Sequence, residues 1–261
     1  MQIMDGQNAP PVANPLMLQN WENVTFLHWR YPAEIIQPFL PKGLQLDLFD
    51  NSAWVGFIPF QVTGLRSHYV PAMPWISQFP AANVRTYVRG PEGNRAVWFL
   101  TLEADRLLAV IGARSFYGLP YHWSQMQVEK WGNIVEYAGR RSFLSTPAEY
   151  RIRIRTGNRI LCGELEEFLT ARYRLYTTFC GSLVHTDVEH EPWRLQSAEV
   201  LEMRENLVRS SGLATPSTFP LVHFSAGVKT RISAPRLTGF ETPLWQVGLT
   251  GPKSEAVLFD K

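Results

Sequence analysis

The sequence predicts a mainly β protein, in the β-rich α+β class, whose strands form a closed antiparallel barrel with a few short helices. Three observations lead to this fold. Short runs of alternating apolar and polar residues recur through most of the 261 residues. Helical periodicity is confined to a few short segments, and no Gly/Ser linker or internal repeat divides the chain. A protein with many strands avoids exposed sheet edges by closing the sheet on itself.

The strands are predicted from alternation and from their β-branched and aromatic content. The runs that qualify are, in chain order, TFLHWRY, LQLDLF, AWVGFIPFQV, NVRTYVR, AVWFLTLE, SQMQVEK, EYRIRIRT, YRLYTT, LVHTDVEH and LVHFSAGVKTRI. The FCGS segment at 179–182, between two of these runs, predicts a hairpin turn. Aromatic residues make up 13% of the chain, which suits a barrel with large interior side chains.

The best predicted helix covers residues 105–117. Asp105 is the expected N-cap, because its carboxylate can accept a backbone N–H of the first turn. Gly118 and Pro120 are expected to end the helix, since glycine adopts the left-handed conformation past the last turn and proline cannot continue the hydrogen-bond ladder. Two weaker helices are predicted at 164–171 and 204–210.

The chain is predicted to be organised around one domain. Residues 1–20, rich in Pro, Asn and Gln, are expected to be a flexible N-terminal arm. Residues 21–232 hold the strand-like runs and are expected to form a single barrel domain. Residues 233–261 show little periodicity, so the sequence predicts no structure for this C-terminal tail.

The composition narrows the class of protein. A formal net charge of +2 is too small to predict binding to nucleic acid or to an anionic membrane. No stretch approaches the roughly 18 apolar residues of a membrane span, and the N-terminus lacks the basic start and apolar segment of a signal peptide. The two cysteines, Cys162 and Cys180, lack metal-ligand spacing, and two free thiols are the simplest interpretation. We therefore expect a cytoplasmic protein without a membrane or nucleic-acid partner.

The run NVRTYVR carries the first candidate site residues. With a period of two, Asn83, Arg85 and Tyr87 share one face. The flanking runs are strongly apolar, so this strand is expected to be central, with Arg85 directed into a cavity or a polar network. In a cavity Arg85 would bind an anionic ligand, with Asn83 and Tyr87 beside it. The alternative is a structural arginine paired with a core carboxylate such as Glu103 or Asp47.

Residues 112–123, GARSFYGLPYHW, carry Tyr121 and His122 on an extended segment after Pro120. Adjacent side chains on a strand point to opposite faces, so only one of the two can face a cavity. A tyrosine near two arginines would have its pKa lowered from about 10, which would suit Tyr121 for proton transfer. The alternative is a barrel tyrosine hydrogen-bonded to fixed partners.

Two further arginines and one histidine are candidates. Arg114 falls on the apolar stripe of the predicted helix, which favours an inward anion-binding group, although a snorkelling side chain would have the same spacing. His28 and Arg30 share a face of the run FLHWRYP. His28 is a candidate base, and a core histidine with satisfied hydrogen bonds is the commoner alternative.

Two polar runs suggest other functions that we do not favour. In HTDVEHE, the side chains of His185, Asp187 and Glu189 share a strand face, yet side chains two apart fan out along a strand instead of converging on a metal ion. The run EYRIRIRT has three arginines on one face without stacking aromatics, so a solvated face or a subunit contact is favoured over nucleic acid. We expect no metal and no cofactor.

Several segments resemble a known family. They are FLHWRYP, DNSAWVGFIPF, FPAANVRTYVRG, GARSFYGLPYHW, VEHEPW and LVHFSAGV, and they occur in order over roughly Asn20 to Ile232. Together they resemble the YqjF-like family of uncharacterised conserved bacterial proteins, which is similar to the acetoacetate decarboxylase-like superfamily. The resemblance implies the acetoacetate decarboxylase-like barrel, and it makes a homo-oligomer an expectation.

The same resemblance bears on catalysis. GARSFYGLPYHW is similar to the decarboxylase signature G-R-E-x-x-G-x-P-K-K, in which a lysine forms a Schiff base. Tyr121 stands at the position of that lysine and His122 at that of its neighbour. Ala81 stands where the FPE pattern has glutamate, and Arg30 matches an active-site arginine by position only. The resemblance therefore argues against decarboxylation through a Schiff base.

Two functional hypotheses remain after these observations. In the first, the barrel binds a small organic acid or similar anion in its cavity and works as a lyase, hydratase or isomerase without a Schiff-base lysine. In the second, it is a non-catalytic small-molecule-binding or scaffold barrel that has lost the decarboxylase machinery. The catalytic candidates are Tyr121 and His28, and the binding candidates are Arg85, Arg114, Arg30, Asn83 and Tyr87.

Overall fold

The computed structural model describes residues 11–67, 75–142 and 146–239, together with positions 9 and 71. It is mainly β, as predicted, and within the described part no helix has the length and hydropathy to cross a membrane. The strands are β1 (Met17–Tyr31), β2 (Gln45–Leu46), β3 (Ala53–Ser67), β4 (Phe79–Arg89), β5 (Arg95–Ala104), β6 (Tyr121–Trp131), β7 (Ile134–Arg141), β8 (Glu149–Arg159), β9 (Arg174–Phe179), β10 (Ser182–His190), β11 (Leu195–Glu205), β12 (Leu221–Ile232) and β13 (Arg236–Leu237). The helices are α1 (Ala33–Ile36), α2 (Leu107–Tyr117), α3 (Glu164–Thr170) and α4 (Leu207–Ser210), and a 3-10 turn spans Gln37–Phe39.

The strands hydrogen-bond in the order β13-β10-β9-β5-β6-β7-β8-β11-β12-β1-β3-β4-β2. Two additional pairings, β10 with β12 and β4 with β5, connect distant members of this series. As a result the series β1-β3-β4-β5-β9-β10-β12 returns to β1 and forms a closed ring of pairings. This ring of strands surrounds the interior in which the candidate site lies.

Two pairings in this sheet are parallel, which corrects the prediction of an antiparallel barrel. β5 pairs in parallel with β6 and with β9. α2 connects β5 to β6 and carries the chain back across the sheet, and a crossover of this kind gives parallel neighbours. The crossover sets Leu102 opposite Tyr121.

α2 begins two residues later than predicted. Arg106 occupies the N-cap in an extended conformation, and no side chain caps the helix. The predicted N-cap, Asp105, instead accepts a hydrogen bond from the backbone N–H of Met126 and pairs with Arg106. The helix ends as predicted, since Gly118 has a left-handed φ of 64°.

The FCGS segment is the turn between β9 and β10, as predicted. Cys180 and Gly181 at its centre have φ angles of 50° and 78°, the positive values that a type I′ hairpin turn requires. Cys180 and Cys162 are both free and exposed, in agreement with the prediction of two free thiols.

Packing extends beyond both predicted domain boundaries. Val12 is buried, and its N–H donates to Glu189. β1 begins inside the predicted arm because β12 pairs with it from Met17 onward. At the other end β13 pairs with β10, so the packed part of the chain is longer than 21–232 on both sides. The rest of the predicted arm and tail, residues 1–8, 10 and 240–261, lies outside the described residues.

β4 is a central strand, as predicted. It pairs with β3 on one side and with β5 on the other. On one face Ala82 and Val84 belong to a core cluster that includes Phe57. The opposite face carries Asn83 and Arg85, which line a cavity. Because both faces are covered, a polar side chain on β4 needs a partner in the protein or in a ligand.

Candidate ligand cavity

A cavity of about 560 Å³ lies inside the ring of strands, with α2 along one side. This volume falls within the range of small-molecule sites. Most of the wall is apolar or aromatic, and it includes Phe26, Ile58, Phe60, Phe99, Leu102, Leu175 and Trp193. A ligand entering such a cavity gains roughly 25 cal/mol for each Å² of apolar surface that it removes from water.

α2 contributes a wall of small side chains. Ala109, Gly112 and Ala113 recur at the spacing of one helix face, and all three line the cavity. A Cβ built on Gly112 would meet no heavy atom within 4 Å. Phe116 also lines the cavity although it is 69% exposed. Phe116 therefore marks a side on which the cavity reaches the protein surface.

Strand register brings Asn83 and Tyr121 to the same wall. Asn83 pairs with Leu102 of β5, and Leu102 pairs with Tyr121 of β6. Directly paired residues present their side chains on the same side of a sheet, and all three line the cavity. Neighbouring strands are about 4.8 Å apart, so the backbones of Asn83 and Tyr121 are separated by about 10 Å. A small ligand between the two can contact both polar groups.

Arg85 places a cation on the cavity wall. Its Nε donates to the Tyr87 hydroxyl at 3.4 Å, and its guanidinium carbon lies 5.9 Å from the centre of the Phe26 ring. Among the described residues no carboxylate forms an ion pair with Arg85. A guanidinium without a carboxylate partner is suited to a carboxylate ligand, which it can bind through two parallel hydrogen bonds.

The carboxylates predicted as alternative partners of Arg85 are committed to other arginines, so that alternative is wrong. Glu103 is 1% exposed and pairs with Arg141. Asp47 is 3% exposed and pairs with Arg172 at 2.6 Å, as well as with two further arginines. Both carboxylates are therefore neutralised away from the cavity, and Arg85 keeps its charge available there.

Four buried polar atoms on the cavity wall have no hydrogen-bond partner in the described structure. They are Nε1 of Trp21, Oδ1 of Asn83, the hydroxyl of Tyr117 and Oγ1 of Thr186. Buried polar atoms are nearly always hydrogen-bonded in folded proteins, and an unmade bond costs about 1–3 kcal/mol. The set combines a donor, an acceptor and two hydroxyls. These four atoms are screened from the cavity as well as from solvent, so their side chains would have to reorient to meet a ligand.

Tyr121 lines the cavity, and the side chain of His122 lies on the other face of β6. There the Arg141 charge adds to burial in lowering the pKa of His122. Burial raises the pKa of Tyr121 to about 12, because an apolar wall disfavours the phenolate. The predicted lowering of this pKa is therefore wrong. At neutral pH Tyr121 is a protonated hydroxyl that can donate a hydrogen bond or a proton.

Arg114 and Arg30 do not line this cavity. Arg114 is exposed, and its Nη1 lies 3.4 Å from the backbone oxygen of Tyr121. The predicted inward position is wrong because α2 packs through Val110 and Tyr117, which leaves Arg114 facing solvent. Arg30 lies at a second, smaller cavity.

His28 and Tyr87 form a buried pair behind Arg85. Nε2 of His28 lies 2.6 Å from the Tyr87 hydroxyl, which also accepts a hydrogen bond from Arg85. Burial, together with the Arg85 charge, holds the pKa of His28 well below its usual value, so the imidazole is neutral at pH 7. Neither His28 nor Tyr87 is among the described residues of the cavity wall. A ligand in the cavity therefore reaches them only through Arg85.

The described lysines stand away from the cavity. Lys42, Lys130 and Lys229 are exposed, and none of them lines the wall. Lys253 and Lys261 lie outside the described residues. A Schiff base needs a lysine amine at the reacting carbonyl, so the described part of this cavity offers no nitrogen for that chemistry.

Sequence reasoning missed three wall residues, Trp21, Tyr117 and Thr186. Thr186 lies in the HTDVEHE run, and alternation does place it on the face opposite the acidic side chains. Thr186 lies in the interior because β10 is covered on both of its faces. In the same run Asp187 pairs with Arg174 at 2.7 Å. The described residues contain no cluster of three potential metal ligands.

The fold and the cavity place the protein in a structural class. It is similar to the enduracididine biosynthesis enzyme MppR complexed with the condensation product of pyruvate and imidazole 4-carboxaldehyde, with a TM-score of 0.58, 15% identity, and coverage of 87% of this chain and 90% of that one. Acetoacetate decarboxylase from Legionella pneumophila matches with a TM-score of 0.59 and 13% identity, over 88% of this chain and 91% of that one. An acetoacetate decarboxylase-like enzyme from Sphingomonas wittichii RW1 matches with a TM-score of 0.60 and 13% identity, over 86% of this chain and 93% of that one. At these identities the similarity shows the fold alone, which is acetoacetate decarboxylase-like.

The family follows from sequence comparison. The DUF2071 family model, described as an uncharacterized conserved protein, matches residues 18–229. Uncharacterized protein YqjF of Bacillus subtilis (strain 168) is 36% identical over 213 residues, which cover 80% of this chain and 87% of that protein. The chain belongs to the DUF2071 family, and its resemblance to YqjF-like proteins is confirmed.

Proposed function

We propose that the protein binds a small organic acid in the main cavity, with the acid group on Arg85 and an apolar body along the wall. The observation that carries this proposal is the guanidinium of Arg85 on an apolar cavity wall without a carboxylate partner among the described residues. A scaffold with a filled interior does not agree with a cavity of about 560 Å³. MppR, which shares the fold, is described in complex with pyruvate, a keto acid.

The polar groups of the wall define how such a ligand would sit. Asn83 and Arg85 are two residues apart on β4, so their side chains leave the strand about 7 Å from each other. A carboxylate on Arg85 leaves a neighbouring hydroxyl or carbonyl of the ligand within reach of Asn83. The Tyr121 hydroxyl approaches from β6, two strands away. Hydrogen bonds to a charged group contribute about 1.5–3 kcal/mol each, and burial of the apolar body adds to this.

A catalytic version of the proposal uses Tyr121 as a general acid. Its raised pKa keeps the hydroxyl protonated but makes it a weak acid, so it would give up its proton only to a group that becomes strongly basic during the step. Its place on the wall brings it to the ligand. A lyase, hydratase or isomerase step on the bound acid needs such a donor when no lysine imine is formed. The binding proposal does not depend on this step. Without it, the protein is a non-catalytic binding protein with the same ligand specificity.

The test is ligand binding by thermal shift and calorimetry, with pyruvate and octanoate as acids and octanamide as the uncharged match. A ligand at about 100 times its Kd stabilises the protein by about 2.7 kcal/mol, which is a rise of roughly 5–11 °C in Tm for a chain of this size. We expect Arg85→Gln to remove the shift and Arg114→Gln, the exposed control, to retain it. Binding of neither acid, or equal binding to the Arg85→Gln protein, would overturn the proposal.

A further inference from the structure

Helix α2 packs on the ring of strands through one side only. Its buried residues are Val110 and Tyr117, whereas the large apolar side chains of Leu107, Leu108 and Ile111 are 46%, 62% and 50% exposed. Ile111 follows the other two by three and four residues, so the three side chains are neighbours on the helix surface. α2 therefore presents an apolar side to solvent.

This apolar side continues past both ends of the three-residue cluster. Phe116, in the last turn of α2, is 69% exposed. Trp75 is 85% exposed and lies beside the start of the helix, because Nε of Arg106 donates to its backbone oxygen at 3.1 Å. Single exposed apolar residues are ordinary, whereas a contiguous group of them marks an interaction surface. The five exposed residues form the α2 patch, which comprises Trp75, Leu107, Leu108, Ile111 and Phe116.

The α2 patch adjoins the opening of the main cavity. Leu108 and Phe116 belong to the patch and also line the cavity. Gly112 lies between them on the same row of the helix, four residues from each, and has no side chain to close the gap. A segment that covers the patch therefore also covers this opening.

The described part of the chain ends near the end of α2. Leu237 of β13 pairs with Val184, and Val184 pairs with Thr177. Oγ1 of Thr177 donates to the backbone oxygen of Gly118 at 2.8 Å. Two strand spacings and this hydrogen bond separate Leu237 from Gly118 by about 15 Å. Directly paired residues share a side of the sheet, so Leu237 faces the side on which α2 ends.

The sequence that follows has the composition and the length to reach the patch. Residues 240–249, FETPLWQVGL, lie outside the described residues, and they contain one charged residue, Glu241. A helix of 11 residues such as α2 is about 16 Å long, and ten extended residues reach at most about 33–36 Å. The segment can therefore pass the end of α2 and follow the helix to its start. Its apolar residues are Phe240, Pro243, Leu244, Trp245, Val247 and Leu249.

We propose that residues 240–249 dock on the α2 patch of their own chain and cover the opening of the main cavity. Burial of apolar side chains on both surfaces drives the contact. The segment is joined to the sheet close to the patch, so its effective concentration there is on the order of mM, which favours it over a second copy of the chain. This docking does not depend on the proposed function, since no ligand takes part in it.

Thiol reactivity measures whether the patch is covered. Ile111→Cys puts a thiol on the patch of the full chain, in which Cys162→Ser and Cys180→Ser remove the two exposed native thiols. A second protein carries Leu244→Asp and Trp245→Asp in addition, which put charges into the docking segment. We expect iodoacetamide, an uncharged reagent, to alkylate the introduced thiol at least tenfold faster in the second protein than in the first.

Leu161→Cys, in place of Ile111→Cys, is the matched control, because Leu161 is 96% exposed and lies outside the α2 patch. Its thiol is expected to react at the same rate with either form of segment 240–249. Equal rates at position 111 in the two proteins would overturn the docking. A slow rate at position 111 that rises when the protein is diluted would put a second copy on the patch and overturn it too. Neither result bears on acid binding to Arg85, which the octanoate measurements test separately.

Discussion

The Tyr87 hydroxyl lies 2.6 Å from Nε2 of His28, and this contact joins the walls of two cavities. On one side Arg85 of the main cavity donates to the same hydroxyl. On the other side His28 lines the second cavity. His28 and Tyr87 were candidates for direct contact with a ligand in one site. The structure places Tyr87 behind Arg85, so we expect it to position that guanidinium and to set the tautomer of His28.

Tyr121→Phe tests the catalytic version of the proposed function. The substitution removes only the hydroxyl, so we expect acid binding to weaken by no more than about tenfold, the value of one neutral hydrogen bond, while any turnover falls by about 10²–10⁴-fold, the usual contribution of a general acid. Calorimetry and a turnover assay on the same preparation check both values. Tyr117→Phe, which removes another hydroxyl from the same wall, is the matched control. Unchanged turnover in Tyr121→Phe would exclude its catalytic role.

Gly112 offers a way to fill the cavity without disturbing the fold. A Cβ at this position meets nothing within 4 Å, so Gly112→Leu is expected to project into the main cavity and to abolish octanoate binding. Gly112→Ala is the control, because it adds one methyl and favours the helix by about 1 kcal/mol. Thermal melts with and without octanoate measure both effects. Full octanoate binding by Gly112→Leu would place the ligand elsewhere.

Acid is expected to destabilise the protein between about pH 6.5 and pH 5. Burial lowers the pKa of each described histidine, namely His28, His122, His185, His190 and His223. The unfolded chain then binds more protons than the folded chain in this window, so the free energy of unfolding falls as the pH falls. Urea unfolding at several pH values measures the slope. His28→Gln should lower the slope, and an identical slope would show that His28 titrates normally.

Glu103 is expected to be structural. Glu103→Gln leaves the Arg141 guanidinium buried without a counter-charge, and breaking a buried pair in this way costs about 3–5 kcal/mol. Urea unfolding measures the loss, and the double variant Glu103→Leu/Arg141→Met should recover much of it. Glu199→Gln is the exposed control, with a loss below about 1 kcal/mol. A stable Glu103→Gln protein that no longer binds octanoate would instead assign Glu103 to the ligand site.

Local patterns in the sequence determined several features of this protein. The period of two along NVRTYVR was enough to put Asn83 and Arg85 on one face of a central strand. Gly118 was enough to end α2, and the FCGS turn was enough to pair β9 with β10. These features depend on residues that are neighbours in the chain, because helix ends, turns and side-chain alternation are set within a few residues.

Only the tertiary structure decided which distant groups meet. The parallel register of β5 and β6 brought Tyr121 to the wall that carries Asn83, and burial there reversed the predicted change in the pKa of Tyr121. Packing turned Arg114 to solvent, and the pairing of Glu103 with Arg141 left Arg85 without a carboxylate partner among the described residues. The physical reason is that strand register and ion pairing join residues far apart in the chain, and no local pattern encodes which of several possible partners is chosen.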